Sequence, residues 1–142
     1  MNRFKLEILE ADGYFYRGES ENLVVPLEDG EAGIQALHEN QVMSLVPGIL
    51  HFTDENGEVK YASIGPGMVR IEDGEVLVLV ETAERPEEID INRARRNEQK
   101  AREELEHEES MRQYKLAELA LEREIARIKL WNRSKTGLDP EE

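Results

Sequence analysis

The side chains with the most chemical potential in this 142-residue chain lie in its second half. Asp90 and Arg93 stand three residues apart, so they share one face of any helix that starts there. Lys100 falls two turns further on. Arg123 and Arg127 stand four apart and likewise share a face. Brought together, the four cations would suit a polyphosphate, because guanidinium groups grip phosphate oxygens through parallel N–H donors. A plainer account is a solvated face laced with salt bridges, for instance Glu122 or Glu124 with Arg127. On spacing alone that account is the stronger one.

Other chemistry finds little support. There is no phosphate-cradling P-loop, no Gly-x-Ser-x-Gly nucleophile turn and no His-Glu-x-x-His zinc motif. His38, His51 and His107 sit in unrelated contexts and read as solvated or hydrogen-bonded side chains, not metal ligands. Glu103-Glu104 and Glu108-Glu109 read as a solvated helix face. The chain has no cysteine, which excludes a disulfide scaffold, a thiolate metal site and a cysteine nucleophile. The expectation is a protein without a catalytic constellation.

Positioning those cations falls to two unlike halves that meet at Ile89-Asp90-Ile91-Asn92-Arg93-Ala94. In the first half Phe4, Leu6 and Ile8 alternate with Lys5 and Glu7, the period of a half-buried strand. Further short apolar runs follow at Tyr14–Tyr16, Leu23–Val25 (stopped by Pro26), Gly33-Ile34, Gln41–Val46, Ile49–Phe52, Val59–Ile64, Met68–Ile71 and Val76–Val80. Asp12-Gly13, Asp29-Gly30, Pro47-Gly48, Gly65-Pro66-Gly67 and Asp73-Gly74 punctuate them. Asn56-Gly57 reads as a two-residue type I′ hairpin turn, since both of its central residues need positive φ. About nine or ten such strands predict an antiparallel sandwich or barrel. Val76–Val80, apolar on both faces, predicts a central strand.

Beyond the polar linker 85–90 the period changes to that of a helix. Asp90 is a natural N-cap. Ile91, Ala94, Ala101 and Leu105 form one narrow stripe, and Met111, Tyr114, Ala117, Leu121, Ile125 and Ile128 form a second. Ser110 to Gln113 fits a capping box between them. Gly137 reads as a stop, and 137–142 as a disordered tail. The prediction is an antiparallel helical hairpin over 91–136, marginal by itself. It either folds back or opens into a rod on the order of 60 Å long.

Charge separates the same halves. Residues 1–88 carry 19 acidic and 6 basic side chains (−13), and residues 89–142 carry 13 and 12 (−1). The acidic half is a poor nucleic-acid binder. Its acidity is read first as solubility. From Ser110 to Thr136 seven cations face three carboxylates, +4 in all, which suits an acidic partner surface. No apolar run is long enough to span a bilayer, and Met1 leads straight into a strand-like segment. The expectation is a cytosolic protein that meets a membrane only through a partner.

Four sequence features together resemble the epsilon-subunit family of the F-type, proton-translocating ATP synthases. They are Pro26-Leu27-Glu28-Asp29-Gly30-Glu31-Ala32-Gly33-Ile34, then His38, then Leu45-Val46-Pro47-Gly48, then the seam hexapeptide Ile89 to Ala94. Asn40-Gln41 departs from the family, many members of which carry a proline after the histidine. The resemblance implies a ten-stranded sandwich over 1–84 that sits on the central stalk against the gamma subunit and the c-ring. It places Glu31 and His38 on a loop facing the ring. It implies that the hairpin permits turnover when folded. When extended along gamma to the catalytic alpha and beta subunits, the hairpin blocks ATP hydrolysis. It implies a non-catalytic subunit, held peripherally on the cytoplasmic face of the bacterial plasma membrane. It further implies regulatory ATP, with or without magnesium, on the folded hairpin, at Glu84, Ile89, Asp90, Arg93, Ala94, Arg123 and Arg127. Lys100 stands where ATP-binding members carry arginine, and lysine lacks the bidentate fork. Without the resemblance, a stand-alone nucleotide sensor or an adaptor remains the alternative.

Overall fold

The computed structural model describes residues 2–107 and 111–136. The proposed capping box at Ser110, the stop at Gly137 and the tail 137–142 lie outside the described residues. Ten strands come first: β1 (Phe4–Glu10), β2 (Gly13–Ser20), β3 (Asn22–Leu27), β4 (Gly30–Gln35), β5 (Gln41–Leu45), β6 (Gly48–Thr53), β7 (Val59–Ile64), β8 (Gly67–Glu72), β9 (Glu75–Val80) and β10 (Ala83–Glu84). A single 3-10 turn at Pro86–Glu88 leads to helices α1 (Ile91–His107) and α2 (Met111–Thr136).

The strands form two five-stranded sheets, in the orders β2-β1-β9-β8-β5 and β10-β7-β6-β3-β4. Alternating side chains seal them together. Phe4, Leu6, Ile8, Leu23, Val25, Leu50, Phe52, Val69 and Val78 are buried between the sheets, while Lys5 and Arg70 stay exposed. The fold is the sandwich, not the barrel. β9 is indeed central, with Val76, Val78 and Val80 buried and Leu77 and Leu79 half-buried.

Three local readings need correction. β1 pairs parallel with β9, so the sheets are not wholly antiparallel. Pro26 does not stop β3; it sits inside it, opposite Glu31. Its missing N–H is tolerated where β6 pairs with only Leu23 and Val24 of that strand. The type I′ turn falls at Asp73-Gly74, where φ is 49° and 81° and Glu72 faces Glu75. At Asn56-Gly57 only Gly57 has positive φ. There the Asp54 carboxylate accepts the N–H groups of Asn56 and Glu58, each at 2.9 Å, and rounds off a longer loop.

Folded back on itself, the hairpin lies against the sandwich. α1 packs on α2, and α2 packs on β6, β7 and the 3-10 turn. Ala94 and Ala101 of α1 are buried, as the small-residue stripe predicts. The α2 stripe is only half right. Met111 and Tyr114 are exposed. Burial of α2 begins at Ala117 and continues at Glu124, Ala126 and Leu130. A helix in this position serves two faces, one toward its partner helix and one toward the sheet, so one stripe cannot describe it. Leu130 is fully buried, worth roughly 1.5–3 kcal/mol of apolar transfer.

Candidate functional site

The seam between strand and helix is built from short, local devices. β10 pairs with the end of β7, opposing Glu84 to Ser63, and this fixes the backbone of Glu84. The Arg85 N–H then donates to the Glu88 carboxylate at 2.9 Å, closing the 3-10 turn. Asp90 caps α1: its Oδ1 accepts the Arg93 N–H at 3.1 Å. Asp90, Arg93, Ala94 and Asn97 follow at the spacing of one helical face.

Across from that face, Arg127 of α2 completes a cleft of about 170 Å³ lined by Glu84, Glu88, Asp90, Arg93, Ala94, Asn97, Glu124 and Arg127. Arg127 is the hub. Its Nη1 donates to both oxygens of Glu124, at 3.0 and 2.8 Å, and its Nε donates to Glu84. Burial alone would lower the pKa of Arg127, but the hydrogen bonds and charge of Glu124 and Glu84 outweigh it and hold the pKa above its usual value. Glu124 is itself 6% exposed. A carboxylate so buried needs a cation, and Arg127 is that cation. The salt-bridged reading of Glu124 with Arg127 is therefore realised in the geometry, and Glu84 joins it from the sandwich.

Only part of the expected constellation meets here. Glu84, Asp90, Arg93, Ala94 and Arg127 line the cleft; Ile89, Arg123 and Lys100 do not. Ile89 is buried. Arg123 reaches Glu81 at 3.4 Å. Lys100 is exposed on α1. So two of the four cations converge, among four carboxylates, and the cleft has a surplus of negative charge. Its volume also falls below the roughly 300–1,000 Å³ of ordinary small-ligand pockets. Glu88 and Asn97 are lining residues that sequence reasoning missed. Asn97 was findable, being seven residues after Asp90 on the same face.

Glu31 and His38 do not share a loop. Glu31 lies in β4, opposite Pro26, and lines a groove between the sandwich and Lys129 of α2. His38 lies in the β4–β5 connection, its Nδ1 2.8 Å from the Glu39 carbonyl oxygen. Beside it Leu37 adopts a φ of 67° and is 87% exposed. A large apolar residue in that backbone region is strained.

Both halves match known domain families. Residues 3–86 match the ATP synthase Delta/Epsilon chain beta-sandwich domain, and residues 87–132 match the long alpha-helix domain of the same chain. The chain belongs to the ATP synthase epsilon family. It is 37% identical over 133 residues to the ATP synthase epsilon chain of Ruminiclostridium cellulolyticum, covering 94% of this chain and 98% of that one. It is 37% identical over 128 residues to the epsilon chain of Shouchella clausii, covering 90% and 94%. Among solved structures it resembles a chain of the Euglena gracilis mitochondrial ATP synthase (OSCP/F1/c-ring), with a TM-score of 0.72 and 24% identity over 96% of this chain and 82% of that one. It also resembles a chain of the Tetrahymena thermophila mitochondrial ATP synthase central stalk and c-ring, with a TM-score of 0.64 and 14% identity over 93% and 96%. These two likenesses establish the shared fold. Among the described residues of this epsilon-type chain, no group of His, Cys, Asp and Glu is placed to hold a metal ion. No helix there is long and apolar enough to cross a membrane.

Proposed function

We propose that this chain is a non-catalytic central-stalk subunit of a bacterial proton-translocating ATP synthase. In this reading the sandwich docks on the gamma subunit and the c-ring, with Glu31 and His38 on the ring-facing side, and the complex holds it on the cytoplasmic face of the membrane. The hairpin is a regulator that inhibits ATP hydrolysis when it extends toward the alpha and beta subunits. One observation carries the regulatory part: the hairpin lies outside the sandwich core and is held to it by a small contact, the ion pairs Arg127–Glu84 and Arg123–Glu81 with Leu130 as its fully buried large apolar side chain. Partly exposed pairs are individually weak, so such an attachment is reversible. Truncation after Glu88 tests it. The sandwich core lies wholly within residues 4–83, so the truncated chain folds and still assembles, and ATP hydrolysis by the complex rises. Unchanged hydrolysis would sink the regulatory role.

ATP is the proposed ligand of the folded hairpin, entering the cleft beside Asp90, Arg93 and Ala94. A nucleotide phosphate must compete with Glu84 and Glu124 for Arg127, and Lys100 offers a single point charge instead of a fork. Affinity is accordingly modest. ATP that binds only the folded form shifts the population toward it. Calorimetric titration of the full chain with ATP, with and without magnesium, gives saturable binding that Arg127→Ala weakens roughly tenfold and Arg123→Ala, whose guanidinium lies outside the cleft beside Glu81, weakens less. Equal affinity in these variants would remove both arginines from the site.

A further inference from the structure

A second cavity lies beside the 3-10 turn, away from the Arg127 cleft. Its volume is about 340 Å³, within the ordinary range for small ligands. Three parts of the fold wall it. The sandwich contributes Phe15 from β2, with Lys60 and Tyr61 from β7. The turn contributes Arg85 and Glu87, and the last turns of α2 contribute Arg133. None of these six residues lines the Arg127 cleft.

The lining pairs ring faces with cations. The Arg133 guanidinium carbon sits 4.0 Å from the Tyr61 ring centroid, and that of Arg85 sits 4.3 Å from Phe15. Arg85 has partners for its donors: the Phe15 carbonyl at 2.9 Å and Glu88 at 3.3 Å. Lys60 is matched by Glu58 at 3.0 Å. Arg133 differs, because its Nε is buried with no hydrogen-bond partner. The Nε itself is closed off from solvent, so an oxyanion in the cavity would meet the rest of the Arg133 guanidinium, which lines it without a carboxylate partner among the described residues. Of the three cations that line the cavity, Lys60 and Arg85 are matched by Glu58 and Glu88, which leaves Arg133 without a carboxylate among the described residues.

We propose that this cavity binds a small oxyanion carried on a planar ring, an aryl phosphate or aromatic carboxylate, with Arg133 as its anchor and Val59 and Pro86 as its apolar wall. Arg133 belongs to the hairpin and Tyr61 to the sandwich. A ligand that touches both therefore favours the folded hairpin, independently of nucleotide in the neighbouring cleft.

The test uses the full-length chain, titrated separately with phenyl phosphate, benzoate and inorganic phosphate, and followed by NMR shifts of Tyr61, Arg85 and Arg133. A ring-bearing anion saturates these shifts and binds more tightly than inorganic phosphate; comparing phenyl phosphate with benzoate tells which oxyanion is preferred. Arg133→Gln weakens binding roughly tenfold or more. Arg133→Lys, which keeps the charge but loses the forked guanidinium donors, retains the folded hairpin and still binds more weakly than the parent. Trp131 fluorescence reports whether each variant keeps its hairpin docked. Inorganic phosphate binding as tightly as phenyl phosphate overturns the proposal. So does Arg133→Lys binding as tightly as the parent, and so do shifts confined to the Arg127 cleft.

Discussion

Arg127 is the residue on which the candidate site turns. It joins the two halves of the molecule because Glu84 reaches it from the sandwich and Glu124 from its own helix. The bond to Glu124 does two opposed things. It neutralises a carboxylate that is almost wholly buried, and it occupies donors that a phosphate would use. Glu124→Gln separates them. The hairpin loosens by about 1–2 kcal/mol, the value of a charge-assisted hydrogen bond reduced because Arg127 keeps Glu84 and some solvent. Hydrogen exchange of the α2 amides reads that loss. ATP meanwhile binds several-fold more tightly, since one competing charge has gone. If ATP affinity instead falls, Glu124 is an organiser of the site and not a competitor for it.

At the scale of the element, α2 is attached chiefly by its last turns. Met111, Tyr114 and Leu116 near its start are exposed, whereas Ala126 and Leu130 are buried. Alanine buries little area, so Leu130 is the largest apolar side chain fully buried in the hairpin. Leu130→Ala should cost about 2–4 kcal/mol of hairpin docking. The sandwich core contains no hairpin residue, so the loss appears as early melting of helical signal by circular dichroism while the strand signal persists. Cooperative loss of both would mean that the hairpin is part of the core. The helix periods were legible in the sequence because each reports its own local geometry. Which positions of α2 would be covered was not, because a third layer decided that.

For the whole molecule, charge and architecture agree. The helix α2 carries a surplus of cations and lies on an acidic sandwich, so the folded form joins opposite signs. The same surplus would suit an acidic partner surface, and under the proposed function the hairpin is then shared between two competing sites. The 3-10 turn stands between the Arg127 cleft and the Arg133 cavity and contributes residues to both. A ligand in either place would bridge sandwich and hairpin, and so would bear on the same equilibrium.

Strand alternation, turn residues and the Asp90 cap are written in near neighbours, so the sequence by itself determined two halves, their types and the seam at Ile89 to Ala94. Local reading failed once at a near neighbour and otherwise where geometry is set from a distance. Asp73-Gly74 took the type I′ turn predicted for Asn56-Gly57, because the Asp54 side chain capped the latter loop. β1 found a parallel partner in β9, some seventy residues away. The cations were visible as spacings, but their destinations in the sandwich were not. Arg123 and Arg127 lie one turn apart on the same helix, yet one reaches Glu81 and the other Glu84 and Glu124. A spacing names a face and could name Glu124, three residues away on the same helix; only the tertiary fold decides that Glu81 and Glu84 meet that face, because they come from the other half of the chain.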